Sequence, residues 1–304
     1  MIIVVAPGQG SQTPGFLEPW LDVDGVREHL GTLSDAAGVD LVAHGTVSDA
    51  DTIRATEIAQ PLIVAASIVT GSLLLDGRHD LVGGVAGHSV GEFAAAYLAG
   101  VLTDVDAIRL VGVRGRAMAH EASKVETGMS AVLGADLDVL QQRLSELGLT
   151  AANMNGGGQV VVAGELDSLA ALAAEPVEGT RVIPLQVAGA FHTAFMAGAV
   201  DTLRDAASTV EPTDPSIPIF TNWDGSRVES GIEYVNLLIG QVSSPVRWDL
   251  CMDAFAKNEV TGLIELAPAG ALVGLVKRGI KGLPTVAVKT PDDLAAAVEL
   301  LEAS

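Results

Sequence analysis

Ser89 sits in Gly87-His88-Ser89-Val90-Gly91-Glu92, between the apolar run Val82-Gly83-Gly84-Val85-Ala86 and the helical pattern Phe93 to Leu98. A strand, a sharp turn carrying serine and then a helix is the setting a G-x-S-x-G nucleophile elbow requires. Such a turn strains the serine backbone, and the flanking glycines let strand and helix crowd it. The hydroxyl then stands at a helix N-terminus, where the dipole favours developing negative charge. The chemistry this implies is nucleophilic catalysis by serine.

A serine nucleophile needs a base, most often histidine. The chain has six: His29, His44, His79, His88, His120 and His192. His88 adjoins the serine and is expected to point away from its hydroxyl. His120 sits at a polar helix end and reads as a surface residue. His192 lies in the apolar, small-residue stretch Val187-Ala188-Gly189-Ala190-Phe191-His192-Thr193-Ala194. A histidine on an apolar face is commonly a satisfied core residue. A position at a seam between two structural units, where ligand sites concentrate, favours the catalytic reading. The order Ser89 then His192 also argues against an α/β-hydrolase, which places its histidine late and often carries an HGGG oxyanion loop. None of the 112 residues after His192 is a histidine, and no HGGG occurs.

The elements that must position these groups follow from hydrophobic patterning. Ile2–Ala6, broken by Pro7-Gly8, and Leu81–Ala86 read as buried strands. Helices fill Val23 to Leu75, then Val90–Ala99 and Thr103–Ala119, the last with Thr103 as N-cap and Asp104 and Asp106 in its first turn. The pattern then changes. Strand Met129–Leu133, helix Leu137–Leu147, strands Leu149–Asn153 and Gln159–Ala163 around Gly156-Gly157-Gly158, helix Leu166–Ala174 and strand Arg181–Leu185 make a βαββαβ series, the ferredoxin-like signature. Beyond it, a helix over Thr193–Val210 and strand Ile217–Asn222 are followed by helices Ile232–Val242 and Trp248–Lys257. Strand Gly262–Leu266, helix Ala271–Arg278 and strand Thr285–Val288 complete the series. The expected fold is α/β, a mainly parallel sheet with helices on both faces, plus an inserted ferredoxin-like α+β subdomain. The expected units are residues 1–123 with 191–304 for the core and 124–190 for the insert.

Composition narrows the function classes. Hydrophobic residues make up 49% and charged residues 18%, enough for a sizeable core, while aromatics at 4% leave Ala, Val, Leu and Gly to fill it. A net charge of −21 argues against nucleic acid and against an anionic membrane surface as partners. An anionic substrate would therefore need locally placed cations. The single cysteine, Cys251, forms no intrachain disulfide, which suits a reducing cytosol, and reads as a small buried hydrophobe. The N-terminus lacks the pattern of a signal peptide. Leu62–Leu75 is expected to be a buried helix, too short and too interrupted to span a membrane. The expected location is cytoplasmic, and no metal-ligand spacing is present.

Six motifs in order resemble the malonyl-CoA:acyl-carrier-protein transacylase family of fatty-acid synthesis, over essentially the whole chain. They are Pro-Gly-Gln-Gly-Ser-Gln at 7–12, Gly-His-Ser-Val-Gly-Glu at 87–92, Arg114-Gly115-Arg116-Ala117-Met118, Asn153-Met154-Asn155 with Gln159-Val160-Val161, Gly189-Ala190-Phe191-His192 and Ser244-Pro245-Val246-Arg247-Trp248. The resemblance implies a hydrolase-like acyltransferase core and a ping-pong transfer of malonyl from malonyl-CoA to the phosphopantetheine thiol of an acyl carrier protein. Ser89 would attack the thioester and His192 would relay the proton. A backbone carbonyl at Gln241 would orient the histidine, and the backbone N–H groups of Gln9 and Val90 would form the oxyanion hole.

Arg114 would hold the malonyl carboxylate bidentately, whereas Arg116, two residues on, faces elsewhere. Phe191 would crowd an α-methyl branch, and Asn155 and Gln159 would line the pocket from the insert. CoA and phosphopantetheine would be substrates, with no cofactor. Lys277, Arg278 and Lys281, the densest cations in the chain, are expected either to meet an acidic carrier or merely to compensate a helix dipole. Two other classes stay open at this point. One is a serine hydrolase, either a thioesterase or a patatin-like lipase using Asp in place of His192; the other is a carrier-binding scaffold with a dead site.

Overall fold

The computed structural model describes residues 1–134 and 136–303. Ala135 and Ser304, each inside one of the expected units, lie outside the described residues. The strands in chain order are β1 (Ile2–Ala6), β2 (Val82–Gly87), β3 (Thr127–Leu133), β4 (Thr150–Gly156), β5 (Gln159–Glu165) and β6 (Arg181–Pro184). They continue with β7 (Ile219–Phe220), β8 (Arg227–Val228), β9 (Val246–Arg247), β10 (Gly262–Glu265) and β11 (Thr285–Ala287). The α-helices are α1 (Val26–Ala37), α2 (Leu41–Thr46), α3 (Thr56–Leu75), α4 (Gly91–Leu98), α5 (Asp104–Ala122) and α6 (Leu137–Leu147). After these come α7 (Leu166–Ala174), α8 (Ala197–Ala207), α9 (Gly231–Gln241), α10 (Trp248–Lys257), α11 (Ala271–Gly279) and α12 (Leu294–Glu302).

One sheet runs β11-β10-β1-β2-β7-β8, parallel except for the antiparallel β7–β8 edge. Its central strand β1 is buried along its whole length, because helices cover both faces; this is why its sequence is a continuous apolar run rather than an alternation. The helix α5, capped by Thr103 accepting from the Asp106 N–H, packs against α1, α3 and α8. The sequence places the buried helix at Leu62–Leu75, but α3 begins at Thr56 and spans 20 residues. By length and composition alone it could cross a bilayer, yet 83% of its most apolar window is buried inside the protein. Its polar breaks are used there: Ser67 Oγ donates to the Ala267 carbonyl at 2.8 Å.

The second sheet runs β6-β3-β5-β4-β9. The first four strands are antiparallel neighbours in the ferredoxin-like order, with α6 and α7 packed together over them. The period of two divides their side chains. Val132, Val160 and Val162 join Leu140, Leu144 and Leu172 in a separate apolar cluster under the helices, while Met129, Asn153, Asn155, Gln159 and Val161 face a cavity on the other side. The fifth strand, β9, lies outside residues 124–190 yet pairs in parallel with β4, Asn153 opposite Val246. A two-residue strand carries no readable alternation, so the sequence gives no sign of it.

Candidate active site

β2 ends at Gly87 and α4 begins at Gly91, so Ser89 occupies the tip of a three-residue turn. Its φ is 53°, a left-handed value that costs a non-glycine residue on the order of 1–3 kcal/mol. Crowding enforces it. A Cβ on Gly87 would lie 2.0 Å from the Gly91 carbonyl carbon, and one on Gly91 would lie 2.2 Å from the Ala6 oxygen. Asn222, just past β7 on the neighbouring strand, staples both sides of the turn. Its Oδ1 accepts from the Ser89 N–H at 2.8 Å and its Nδ2 donates to the Gly87 carbonyl at 2.8 Å.

His192 enters from the segment between β6 and α8, also at positive φ (61°) and only 4% exposed. Its Nε2 is 2.7 Å from Ser89 Oγ, and its Nδ1 is 2.9 Å from the Gln241 carbonyl. Gln241 is the last residue of α9, where carbonyls have no intrahelical partner and are free to accept. A carbonyl can only accept, so Nδ1 carries the proton and Nε2 presents its lone pair to the serine hydroxyl. Burial first, and the charge of Arg114 second, push the His192 pKa down to about 3, so the ring is neutral at ordinary pH.

Arg114, from α5, is 1% exposed. Its Nη1 donates to Gln60 Oε1 at 2.6 Å, and its Nη2 to Gln241 Oε1 at 3.0 Å and to Ser89 Oγ at 3.4 Å. Its Nε is buried with no acceptor among the described residues, so donor capacity remains. Burial lowers its pKa to about 10, which leaves the guanidinium charged. Arg116 faces elsewhere: it is exposed and donates to the Ala37 carbonyl at the end of α1 at 2.8 Å.

These groups open into a cavity of about 350 Å³ lined by residues of both sheets. Gln9, Val90, Phe191, Asn155 and Gln159 all line it beside Ser89, His192 and Arg114, whereas Gln241 lies behind that lining. No hydrogen bond among the described residues engages the backbone N–H of Gln9 or Val90, so both can serve an incoming oxygen. Asn155 reaches across the cavity, its Oδ1 2.8 Å from His88 Nε2, and its Nδ2 donates to Gln159 Oε1 at 3.3 Å. His88 thus turns away from Ser89 Oγ and toward the second sheet. Arg278 lies at the cavity from α11; Lys277 and Lys281 are exposed beside it. Among the described residues no group of three or more His, Cys, Asp and Glu is gathered as a metal site requires.

Three buried polar residues at the site carry no role in the motif reading, although Glu92 closes the 87–92 motif: Gln60, Glu92 and Asn222. Each had a signal. Glu92 opens the otherwise apolar helix α4, Gln60 interrupts the apolar α3, and Asn222 closes an apolar strand. A polar side chain that an apolar element cannot avoid burying needs a partner: Gln60 has Arg114, Asn222 has the backbone of the serine turn, and Glu92 has the Asn222 backbone N–H and the Gln241 amide.

A strained serine on a strand–helix turn, paired with a neutral histidine held by a carbonyl, is built for covalent acyl transfer, and the α/β core with its antiparallel insert narrows the class to acyltransferases. Residues 4–295 match the family described as acyl transferase domain, and the chain belongs to that family. A relative named malonyl CoA-acyl carrier protein transacylase, from Mycobacterium tuberculosis, is 45% identical over 298 residues, 97% of this chain and 98% of that protein. The crystal structure of MCAT from Mycobacterium tuberculosis superposes with a TM-score of 0.94 at 44% identity, covering 98% of this chain and 99% of that one. A structure of a type II PKS acyl-carrier protein in complex with its malonyl-transacylase matches at a TM-score of 0.91 and 30% identity, covering 98% and 99% of the two chains.

Proposed function

We propose that this chain transfers malonyl from malonyl-CoA to the phosphopantetheine thiol of an acyl carrier protein, through an ester on Ser89, in the cytoplasm. The carrier serves fatty-acid or polyketide synthesis. In the first half-reaction Ser89 Oγ attacks the thioester carbonyl while His192 Nε2 takes its proton. The developing oxyanion is held by the N–H groups of Val90 and Gln9. Collapse expels the CoA sulfur, which leaves with the proton from His192. In the second half-reaction the carrier thiol attacks the ester along the same path, with His192 again accepting and returning the proton. CoA and phosphopantetheine are consumed and released as substrates, and no step calls on a cofactor. The large α/β unit, residues 1–123 with 191–304, supplies this machinery, and the insert, 124–190, roofs it.

The observation that carries this reading is Arg114 beside the nucleophile: a buried guanidinium 3.4 Å from Ser89 Oγ with a spare donor. It suits an acyl group that ends in a carboxylate. A bound carboxylate would also offset the charge that depresses His192 and so make the base stronger when the right substrate is present. Phe191 supports a preference for an unbranched malonyl. The test is intact mass after brief mixing with malonyl-CoA, beside acetyl-CoA and the Ser89→Ala variant. One malonyl group on the wild type alone, with little acetyl, is the expected result. Free malonate accumulating with no adduct would indicate a hydrolase; neither adduct nor product would indicate a carrier-binding scaffold.

A further inference from the structure

Glu92 is a carboxylic acid 1% exposed, directly after Gly91 and three residues past Ser89, with no part in the chemistry above. Both of its oxygens accept from nitrogen. Oε1 takes the Asn222 backbone N–H at 2.6 Å, and Oε2 takes the Gln241 side-chain amide N–H. Asn222 holds the Ser89 N–H, and Gln241 holds Arg114 with its side-chain oxygen and His192 with its backbone carbonyl. The nucleophile, the base and the carboxylate-binding arginine therefore all trace back to one buried side chain.

The decisive feature is the direction of the Gln241 amide. An amide has a donor end and an acceptor end, and Arg114 can only donate. Gln241 therefore serves Arg114 only while its NH₂ faces an acceptor on the other side, and that acceptor is Glu92 Oε2. We propose that Glu92 is a positioning residue whose acceptor-only carboxylate fixes the Gln241 amide and so holds Arg114 where it selects a carboxylate-bearing acyl group; this rests on the malonyl-transfer reading. A proton on Oε2, or an NH₂ in its place, turns that position into a donor. The Asn222 backbone N–H cannot rotate away, so Oε1 stays an acceptor and the donor sits on Oε2 beside Gln241, with the Thr221 and Tyr234 hydroxyls also reaching this carboxyl. Gln241 then flips and shows NH₂ to the guanidinium.

The proton can come from solution. Burial raises the Glu92 pKa to about 8, against the opposing pull of the Asn222 N–H and Arg114. The other titratable or charged groups that face it are Arg114 on α5, Tyr234 on α9 and Cys251 on α10. Arg114 titrates near 10, while burial pushes the Tyr234 hydroxyl and the Cys251 thiol well up. Among these, Glu92 alone changes charge between pH 6.5 and 9.

The experiment measures kcat/KM for acylation of Ser89 by malonyl-CoA and by acetyl-CoA across that range, with wild type, Glu92→Gln and Gln241→Met. The wild-type malonyl-to-acetyl ratio should rise with pH. Both variants should have a ratio lower by about tenfold or more, as expected for one charge-assisted hydrogen bond, and independent of pH. A wild-type ratio flat with pH together with variants that keep it overturns the proposal. If either variant fails to fold, the wild-type profile decides. A wild type that takes no malonyl from malonyl-CoA would refute the malonyl-transfer reading instead, a result distinct from equal ratios.

Discussion

The two walls of the cavity are built differently. On the core wall each working group is held by at least two partners: Ser89 by Asn222 and His192, His192 by Ser89 and Gln241, Arg114 by Gln60 and Gln241. On the wall of the second sheet, Asn155 has one bond to His88 and a longer one to Gln159, and its neighbours Met129 and Val161 present only apolar surface. Charge appears and disappears at the first wall during acyl transfer, and a preorganised donor or base there need not rearrange as it does so. The second wall needs only to close the cavity and keep water from the ester. The contrast implies steep losses for changes on the core wall and shallow ones opposite.

The contrast breaks outright at Ser89. Ser89→Ala should lower malonyl transfer by at least about 10⁴-fold, since it removes the proposed carrier of the acyl group. A variant that still transfers, read by carrier-protein mass, would place the nucleophile elsewhere. Arg114→Ala should lower kcat/KM for malonyl loading by about 10²–10³-fold, roughly 3–4 kcal/mol, and lower acetyl loading far less. It has a second signature. Because Arg114 helps depress His192 from 6.5 to about 3, removing its charge should move the acid limb of the acetyl-loading pH profile toward neutrality. In the wild type that limb lies well below 6.5, because the ring must be neutral to accept the proton. An acid limb unmoved in Arg114→Ala would mean that burial alone sets the histidine.

The opposite wall sharpens the comparison. Asn155→Ala removes the bond to His88 across the cavity while leaving Ser89, His192 and Arg114 with their own partners. Malonyl loading should fall by only about three- to tenfold, the cost of one neutral hydrogen bond. The fraction of malonyl-enzyme lost to water should rise, seen as free malonate in the absence of carrier protein. A loss as deep as that of Arg114→Ala would mean that this wall takes part in positioning the reacting atoms.

The same asymmetry governs what was legible. The elbow at 87–92 and the apolar strands on either side could be read directly, because a tight turn forces particular residue types at adjacent positions. The βαββαβ run was legible for a similar reason: its helices and strands are amphipathic, so period 3.6 and period 2 stand out. The pairing of His192 with Ser89 rested on a juxtaposition across 103 residues that spacing alone could not supply. Gln60 and Asn222 had only the faint mark of a polar residue in an apolar run, and Glu92 closed the 87–92 motif without a readable role, since the partners of all three are brought in by tertiary packing. Strand β9 and the first turn and a half of α3 were hidden for the opposite reason. Two residues are too few for periodicity, and a helix buried on all sides has no polar stripe to mark where it starts.

The outer rim carries the smallest expected effect. The chain bears a net charge of −21, and CoA is anionic, so the approach of either substrate runs against the field of the whole molecule. Lys277, Arg278 and Lys281 are exposed at and just past the C-terminal end of α11, the helix whose Ala271, Leu272, Leu275 and Arg278 line the cavity. Their position at a helix C-terminus accounts for them as dipole compensation, which predicts a small loss of stability and no change in kinetics on charge reversal. A steering role predicts the reverse. Lys277→Glu with Arg278→Glu should then raise the apparent KM for an acidic carrier protein by roughly three- to tenfold at low ionic strength, leaving kcat nearly unchanged. The difference from wild type should shrink as salt is raised, because exposed charges are screened over about 10 Å at 0.1 M. A shift in melting temperature without a salt-dependent KM would assign the cluster to the helix end alone.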